Sequence, residues 1–169
     1  MKHIILASAS PRRKEILELA DLEFDVMPSD AQEITIKTAP NEVVMELASI
    51  KAKDIYKKSE KQSMIVGADT VVAYQGQILG KPTDEADAKR MLTMLSGQTH
   101  EVYTGVCVIE DGKTKHFMKK QKLHFMRSVM SRSIIISRLE NLWIRLGLME
   151  FKEKQLSLSK GSKEITTML

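Results

Sequence analysis

Apolar and polar positions along this chain follow two periods in turn, and the switches between them mark out the elements. His3 to Ala7 is a short apolar, β-branched run of the kind a buried strand carries. Ser10 and Pro11 then stand in the order of a helix cap and a first-turn proline. They predict a helix from Pro11 to about Ala20, with Ile16, Leu17 and Leu19 on its buried face. Glu23 to Met27 alternates like a second strand, which Pro28-Ser29-Asp30 ends, and Asp30 to Thr38 reads as a loop carrying Glu33. Asn41 is expected to cap a long helix reaching about Lys58, with Val44, Leu47, Ala48, Lys51 and Ile55 along one side. Lys51 is the odd member, a cation set among apolar positions.

Met64 to Tyr74 is the longest apolar stretch, two β-branched runs flanking Gly67-Ala68-Asp69-Thr70. It predicts a central strand with one carboxylate set into it. A turn at Gln75-Gly76 follows, then Ile78-Leu79-Gly80-Lys81-Pro82, where Gly80 and Pro82 hold Lys81 in a stiff, exposed turn. Thr83 or Asp84 should cap a helix from Glu85 to Leu95 whose inner stripe is Ala88, Met91, Leu92 and Leu95. Ser96-Gly97 ends it. A long strand is expected from His100 to Ile109, then a hairpin turn at Glu110-Asp111-Gly112-Lys113 and a returning strand to Met118. His100 has no second histidine at ligand spacing and reads as a hydrogen-bonded sheet residue.

A length of 169 residues predicts one domain with a real core. The net charge of +4 is a small excess, and 5% aromatic residues are few for a base-stacking surface, so no nucleic-acid partner is expected. The single cysteine, Cys107, excludes a disulfide framework and lies in an apolar run, as a buried structural thiol would. The apolar run at the N-terminus breaks at Ser8, too short for a signal peptide or a membrane span. The expectation is a soluble, cytoplasmic protein with no membrane partner.

Two stretches carry candidate chemistry. At Ser8 to Lys14 a strand stops and a helix begins, so free N–H groups, small hydroxyls and the cations Arg12, Arg13 and Lys14 converge on one turn. That suits an anion such as a phosphate chain. The plainer reading is a capped helix with a solvated basic first turn, but cations there oppose the helix dipole. Asp69 is the second. A buried carboxylate needs a cation, a metal or several donors, unless it lies on an edge strand in solvent or in a bulge marked by Gly67.

Leu-Ala-Ser-Ala-Ser-Pro-Arg-Arg-Lys-Glu-Ile-Leu at 6 to 17, Lys51-Ala52, Val-Gly-Ala-Asp-Thr-Val-Val at 66 to 72, Leu-Gly-Lys-Pro at 79 to 82 and Met-Leu-x-x-Leu-Ser-Gly at 91 to 97 resemble the Maf family. Its members are nucleoside triphosphate pyrophosphatases first associated with septum formation. The resemblance runs in register from residue 3 to about 119. It implies an α/β fold like that of the inosine triphosphatases, a long twisted mixed sheet flanked by helices with a cleft between two lobes. It also implies a reaction, attack of water at the α-phosphate of a nucleoside triphosphate, giving the monophosphate and pyrophosphate with a divalent metal, Mg2+ or Mn2+. Carried over by position, Asp69 matches the proton acceptor, and Ser8, Arg12, Arg13, Glu33, Lys51 and Lys81 match the phosphate- and metal-handling groups, with Glu33 and Asp69 as the metal's carboxylates. Arg12 after Pro11 and Thr70 after Asp69 resemble the branch acting on dTTP, UTP and modified pyrimidine nucleotides.

After Lys120 the family's Gly-Glu-Pro-x-Asp-Lys-Ala-Gly-x-Tyr-Gly-Ile-Gln-Gly run is missing, and the text turns rich in Met, Ser, Arg and Leu. Back-translating Ser137 to Lys154 with permitted codons and reading one frame over restores Ser-Thr-Gly-Glu-Pro-Met-Asp-Lys-Ala-Gly-Ala-Tyr-Gly-Ile-Gln-Gly-Lys. Trp143, Met149 and Met168, with one codon each, all fit. The expectation is a Maf-like region over 1–120 and an out-of-frame tail over 121–169, poorly packed or opportunistically helical around Ile134 to Ile136 and Leu139 to Leu146, which leaves core strands uncovered. Two other readings stand beside the enzyme: a nucleotide-binding remnant without turnover, and a basic interaction protein linked to septum formation. A homodimer stays open.

Overall fold

The computed structural model describes residues 2–60 and 62–125. In chain order these form β1 (Ile4–Leu6), α1 (Pro11–Leu19), β2 (Phe24–Val26), α2 (Pro40–Lys58), β3 (Met64–Tyr74), β4 (Gln77–Leu79), α3 (Glu85–Leu95), β5 (Thr99–Glu110) and β6 (Lys113–His124). They build a mixed α/β unit around a six-stranded sheet of order β2-β1-β3-β5-β6, with β4 joined to β3. β1 lies parallel to β2 and to β3, whereas β5 pairs antiparallel with β3 and β6. The hairpin turn at Asp111 and Gly112 takes φ of 49° and 72°, the left-handed pair that a two-residue connection between twisted strands needs. β6 runs on through Gln121 to His124, across the expected boundary at 120, and the expected helix around Leu139 lies outside the described residues.

One face of the sheet is covered by α2. Ala48, Ala52 and Ile55 pack on Ile5, Ala7, Ile65, Cys107 and Ile109, and Val43, Val44 and Leu47 pack on Val71, Ala73 and Tyr103. The odd-numbered positions of β3 therefore face α2, and the even-numbered ones face the other way. Two glycines set how close the helix comes. A Cβ at Gly67 would fall on the Ala48 carbonyl and 2.8 Å from the Ala52 Cβ, and one at Gly105 would lie 2.5 Å from the Val44 carbonyl oxygen. Backbone thus rests on backbone, and Lys51 is lowered toward the sheet. Gly67→Ala should cost about 1–3 kcal/mol or more, because helix and strand must separate. Gly80→Ala, which meets nothing within 4 Å, should stay within about 0.5 kcal/mol of the parent. Urea unfolding of the two variants checks the contrast.

Several local expectations are corrected. α1 buries none of its residues; Ile16 is 62% and Leu19 88% exposed, so the apolar stripe read as its buried face meets no cover among the described residues. The cap of α2 is Ala39 with Pro40 behind it, and Asn41 lies inside the helix, because a proline is tolerated only in the first turn. Asp84 caps α3 as expected, its carboxylate accepting from the Asp87 N–H at 2.7 Å. Ser10 occupies the cap position of α1 but makes no side-chain cap bond. The return strand is longer than the pattern predicts, and Gln77–Leu79 forms the short strand β4 where the sequence predicts only a turn segment. His100 is only 2% exposed, yet neither ring nitrogen has a hydrogen-bond partner among the described residues, against the expected hydrogen-bonded role. Burial holds its pKa below the usual histidine value, so the ring stays neutral.

Candidate active site

Asp69 sits in the middle of β3, five residues from either end of a strand whose register with β5 is unbroken from Ile65 to Ala73. There is no bulge, and the residue is 7% exposed. Its position is odd, so it faces α2, where the Ala48 and Ala52 contact with Gly67 places Lys51 over it. Lys51 Nζ donates to Asp69 Oδ1 at 2.6 Å and lies 3.1 Å from Glu33 Oε1. One ammonium thus joins two carboxylates, one buried and one half exposed.

Glu33 arrives on a loop without regular structure, and polar contacts lay that loop along α2. Ser29 donates to Asp54 at 2.7 Å, Lys58 pairs with both Asp30 and Asp54, Thr35 bonds Glu46, and Lys37 approaches Glu42 at 3.9 Å. Contacts recur at successive turns of the helix, with Glu33 between them.

The turn after β1 supplies the other half. Ser8 is buried at the strand's end; its Oγ accepts from the Ser10 N–H at 3.2 Å and from Arg13 Nη1 at 2.9 Å. Arg13 is therefore held against the turn, and its charge reaches Asp69. Burial pushes the Asp69 carboxyl above the ordinary aspartate value; Lys51 and then Arg13 pull it down, and Glu33 adds to the rise. Desolvation wins, which raises the proton affinity of the carboxylate as a general base requires.

Ser8, Arg13, Glu33, Lys51 and Asp69 are thus brought together. Arg12 stands next to Arg13 in the first turn of α1. Lys14 is exposed and pairs along the helix with Glu18 at 3.6 Å. Thr70 faces the opposite side of the sheet, where its hydroxyl meets that of Thr104 at 3.1 Å. Lys81 is exposed on the segment leaving β4. Side-chain reading missed the main chain of β3 itself. β1 and β4 lie end to end along one edge of that strand, covering residues 64–66 and 72–74 and leaving the stretch around Asp69 open. Only the strand register reveals this gap.

The fold has a solved counterpart in the structure of a HAM1 protein from Coxiella burnetii, which superposes with a TM-score of 0.50 over 78% of this chain and 77% of that one, at 18% identity. That likeness concerns the architecture, a mixed sheet flanked by helices. The sequence narrows it: residues 3–140 match the family described as Maf-like protein, and the chain belongs to that family. A dTTP/UTP pyrophosphatase of Lachnoclostridium phytofermentans is 57% identical over 109 residues, 64% of this chain and 55% of the relative. One of Bacillus mycoides is 49% identical over 126 residues, 74% and 65% of the two chains. The chain thus spans between one half and two thirds of the length of these two relatives.

Proposed function

We propose that the chain hydrolyses a pyrimidine nucleoside triphosphate, dTTP or UTP, to the monophosphate and pyrophosphate, as the names of its relatives suggest. The observation that carries this reading is the buried Asp69, paired with Lys51 and lying within reach of the charge of Arg13 at the Ser8 turn. Phosphoryl chemistry asks for positioning and charge neutralisation more than for covalent help. The Ser8 to Arg13 turn holds phosphate oxygens. The Lys51 bond takes Oδ1 of Asp69, and the carboxylate keeps acceptor capacity on Oδ2 for a water proton. As water oxygen bonds to the α-phosphorus, that proton passes to Asp69, and the bond to the bridging oxygen breaks with pyrophosphate as leaving group.

A divalent cation fits the donor set. Glu33 and Asp69 present hard oxygens that already share one cation, and Mg2+ is commonly held by one or two carboxylates together with substrate phosphates. When bound, it would neutralise charge on the phosphates. No helix among the described residues is long and apolar enough to cross a membrane; a soluble, cytoplasmic enzyme without a nucleic-acid partner completes the reading. Because the chain spans only 55% of the first relative, a second reading keeps binding and omits turnover.

A pyrophosphate-release assay with dTTP and UTP, plus Mg2+ or Mn2+, separates the two. Turnover giving monophosphate and pyrophosphate supports the enzyme, and binding without release supports the second reading. The acid limb of kcat/KM should begin at a higher pH than an exposed aspartate would give, because the group must be ionised to accept the proton and burial raises its pKa. A flat profile down to the ordinary aspartate range would remove Asp69 as the base.

A further inference from the structure

In a strand each residue's N–H and C=O point to the same edge, and successive residues alternate edges. Met64 N donates to His3 O and Ala7 N donates to Val66 O, so the even-numbered residues of β3 address the β1 side. The ladder on that side stops at Val66 and resumes at Val72 with β4. Ala68 and Thr70 therefore turn two N–H and two C=O groups toward an edge on which no main-chain partner lies among the described residues. Local sequence keeps it open. After Ala7 the chain turns off into Ser8–Pro11, and after Leu79 the Gly80-Lys81-Pro82 segment cannot carry β4 further, since proline lacks a donor. Ala68 is 7% exposed, and main-chain polar groups of a buried residue are costly to leave without a hydrogen bond.

The gap is not a second phosphate site. It presents carbonyls as well as N–H groups, and phosphate oxygens would be repelled by the former. A neutral group with a donor beside an acceptor fits, such as the ring amide of a nucleobase. Asp69 is the chain neighbour of both Ala68 and Thr70, and the Ser8 turn lies at one end of the gap. We infer that the open main-chain edge of β3 at Ala68 and Thr70 reads the base of the bound nucleotide. The Ala68 N–H donates to a ring carbonyl, and the Ala68 C=O accepts from the adjacent ring N–H, the pair that uracil and thymine carry at C4 and N3. This deepens the proposed function and rests on it for the presence of a nucleotide.

The test uses the full chain and changes the ligand, because a main-chain contact has no side chain to remove. Equilibrium binding of UTP, of its N3-methyl analogue and of its C5-methyl analogue is measured on the Asp69→Asn variant, which separates binding from turnover. The parent protein is assayed for pyrophosphate release with all three. N3-methylation should weaken binding about tenfold or more, since it removes the donor and puts a methyl against a carbonyl, while the C5-methyl compound binds like UTP. Equal binding of UTP and the N3-methyl compound overturns the inference even where turnover stands, and so does an equal loss with both methyl compounds. Discrimination in binding without turnover keeps the edge and overturns the hydrolytic reading. No binding of any nucleotide overturns both.

Discussion

Replacing Asp69 by Asn is expected to lower kcat for pyrophosphate release from UTP by about 10²–10⁴-fold, the range for loss of a positioned general base, and to leave the fold as stable or more so. The carboxamide keeps the shape of the side chain and loses the proton acceptor. The stability half follows from the sign of the pKa shift. Burial outweighs Lys51 and Arg13, so the folded chain binds the Asp69 proton more tightly than the unfolded chain does. Its contribution is then favourable at low pH and is lost as pH rises through the raised folded-state value, which makes ionised Asp69 a net cost at neutral pH. Thermal melts at pH 7 should show the Asn variant at or above the parent temperature. A variant that melts well below the parent, or one that still turns over at near-parental rate, contradicts this account.

Lys51→Met should be the most destabilising change among the charged residues of the site. Lys51 and Asp69 side chains are 14% and 10% exposed, so removing the cation leaves a carboxylate with little water around it. Breaking a buried pair costs about 3–5 kcal/mol. The low end applies, because Asp69 can take up a proton and Glu33 is half in solvent. At roughly 2–4 °C per kcal/mol for a chain of this size, the melting temperature should fall by about 6–12 °C. The deficit should shrink as pH is lowered, since protonation discharges the stranded acid. Lys51→Met combined with Asp69→Asn should recover much of it, and a double-mutant cycle measures that coupling. Strict additivity of the two changes would mean that the ion pair does not hold this part of the core.

Much of this site could be read from residue types, because the signals were violations of an otherwise regular pattern. A charge in the apolar run of β3 and a charge on the apolar side of α2 are each costly alone, and the fold brings Asp69 and Lys51 to 2.6 Å. β3 and α3 have the bounds their patterns predicted. The failures have a common cause too. α1 carries an apolar stripe whose text is the same whether or not another element comes to cover it. Thr70 neighbours Asp69 in sequence, yet a period of two sends it to the far face. The gap in the edge of β3 has no residue-type signature, since every residue contributes the same main-chain groups and only the pairing register leaves some of them unmet. The tail reading after residue 125 lies outside the described residues.

The two carboxylates that meet at Lys51 are mounted in different ways. Asp69 is carried on a wall whose spacing from α2 is set by glycine meeting backbone, a hard steric stop. Glu33 rides on a loop laid along α2 by polar and charged contacts, most of them open to solvent, and dissolved ions weaken such attractions. The pair behaves like a vice with one fixed jaw and one sprung jaw. The fixed jaw keeps its position against α2, and the sprung one depends on contacts that salt can loosen without disturbing the hydrophobic frame behind.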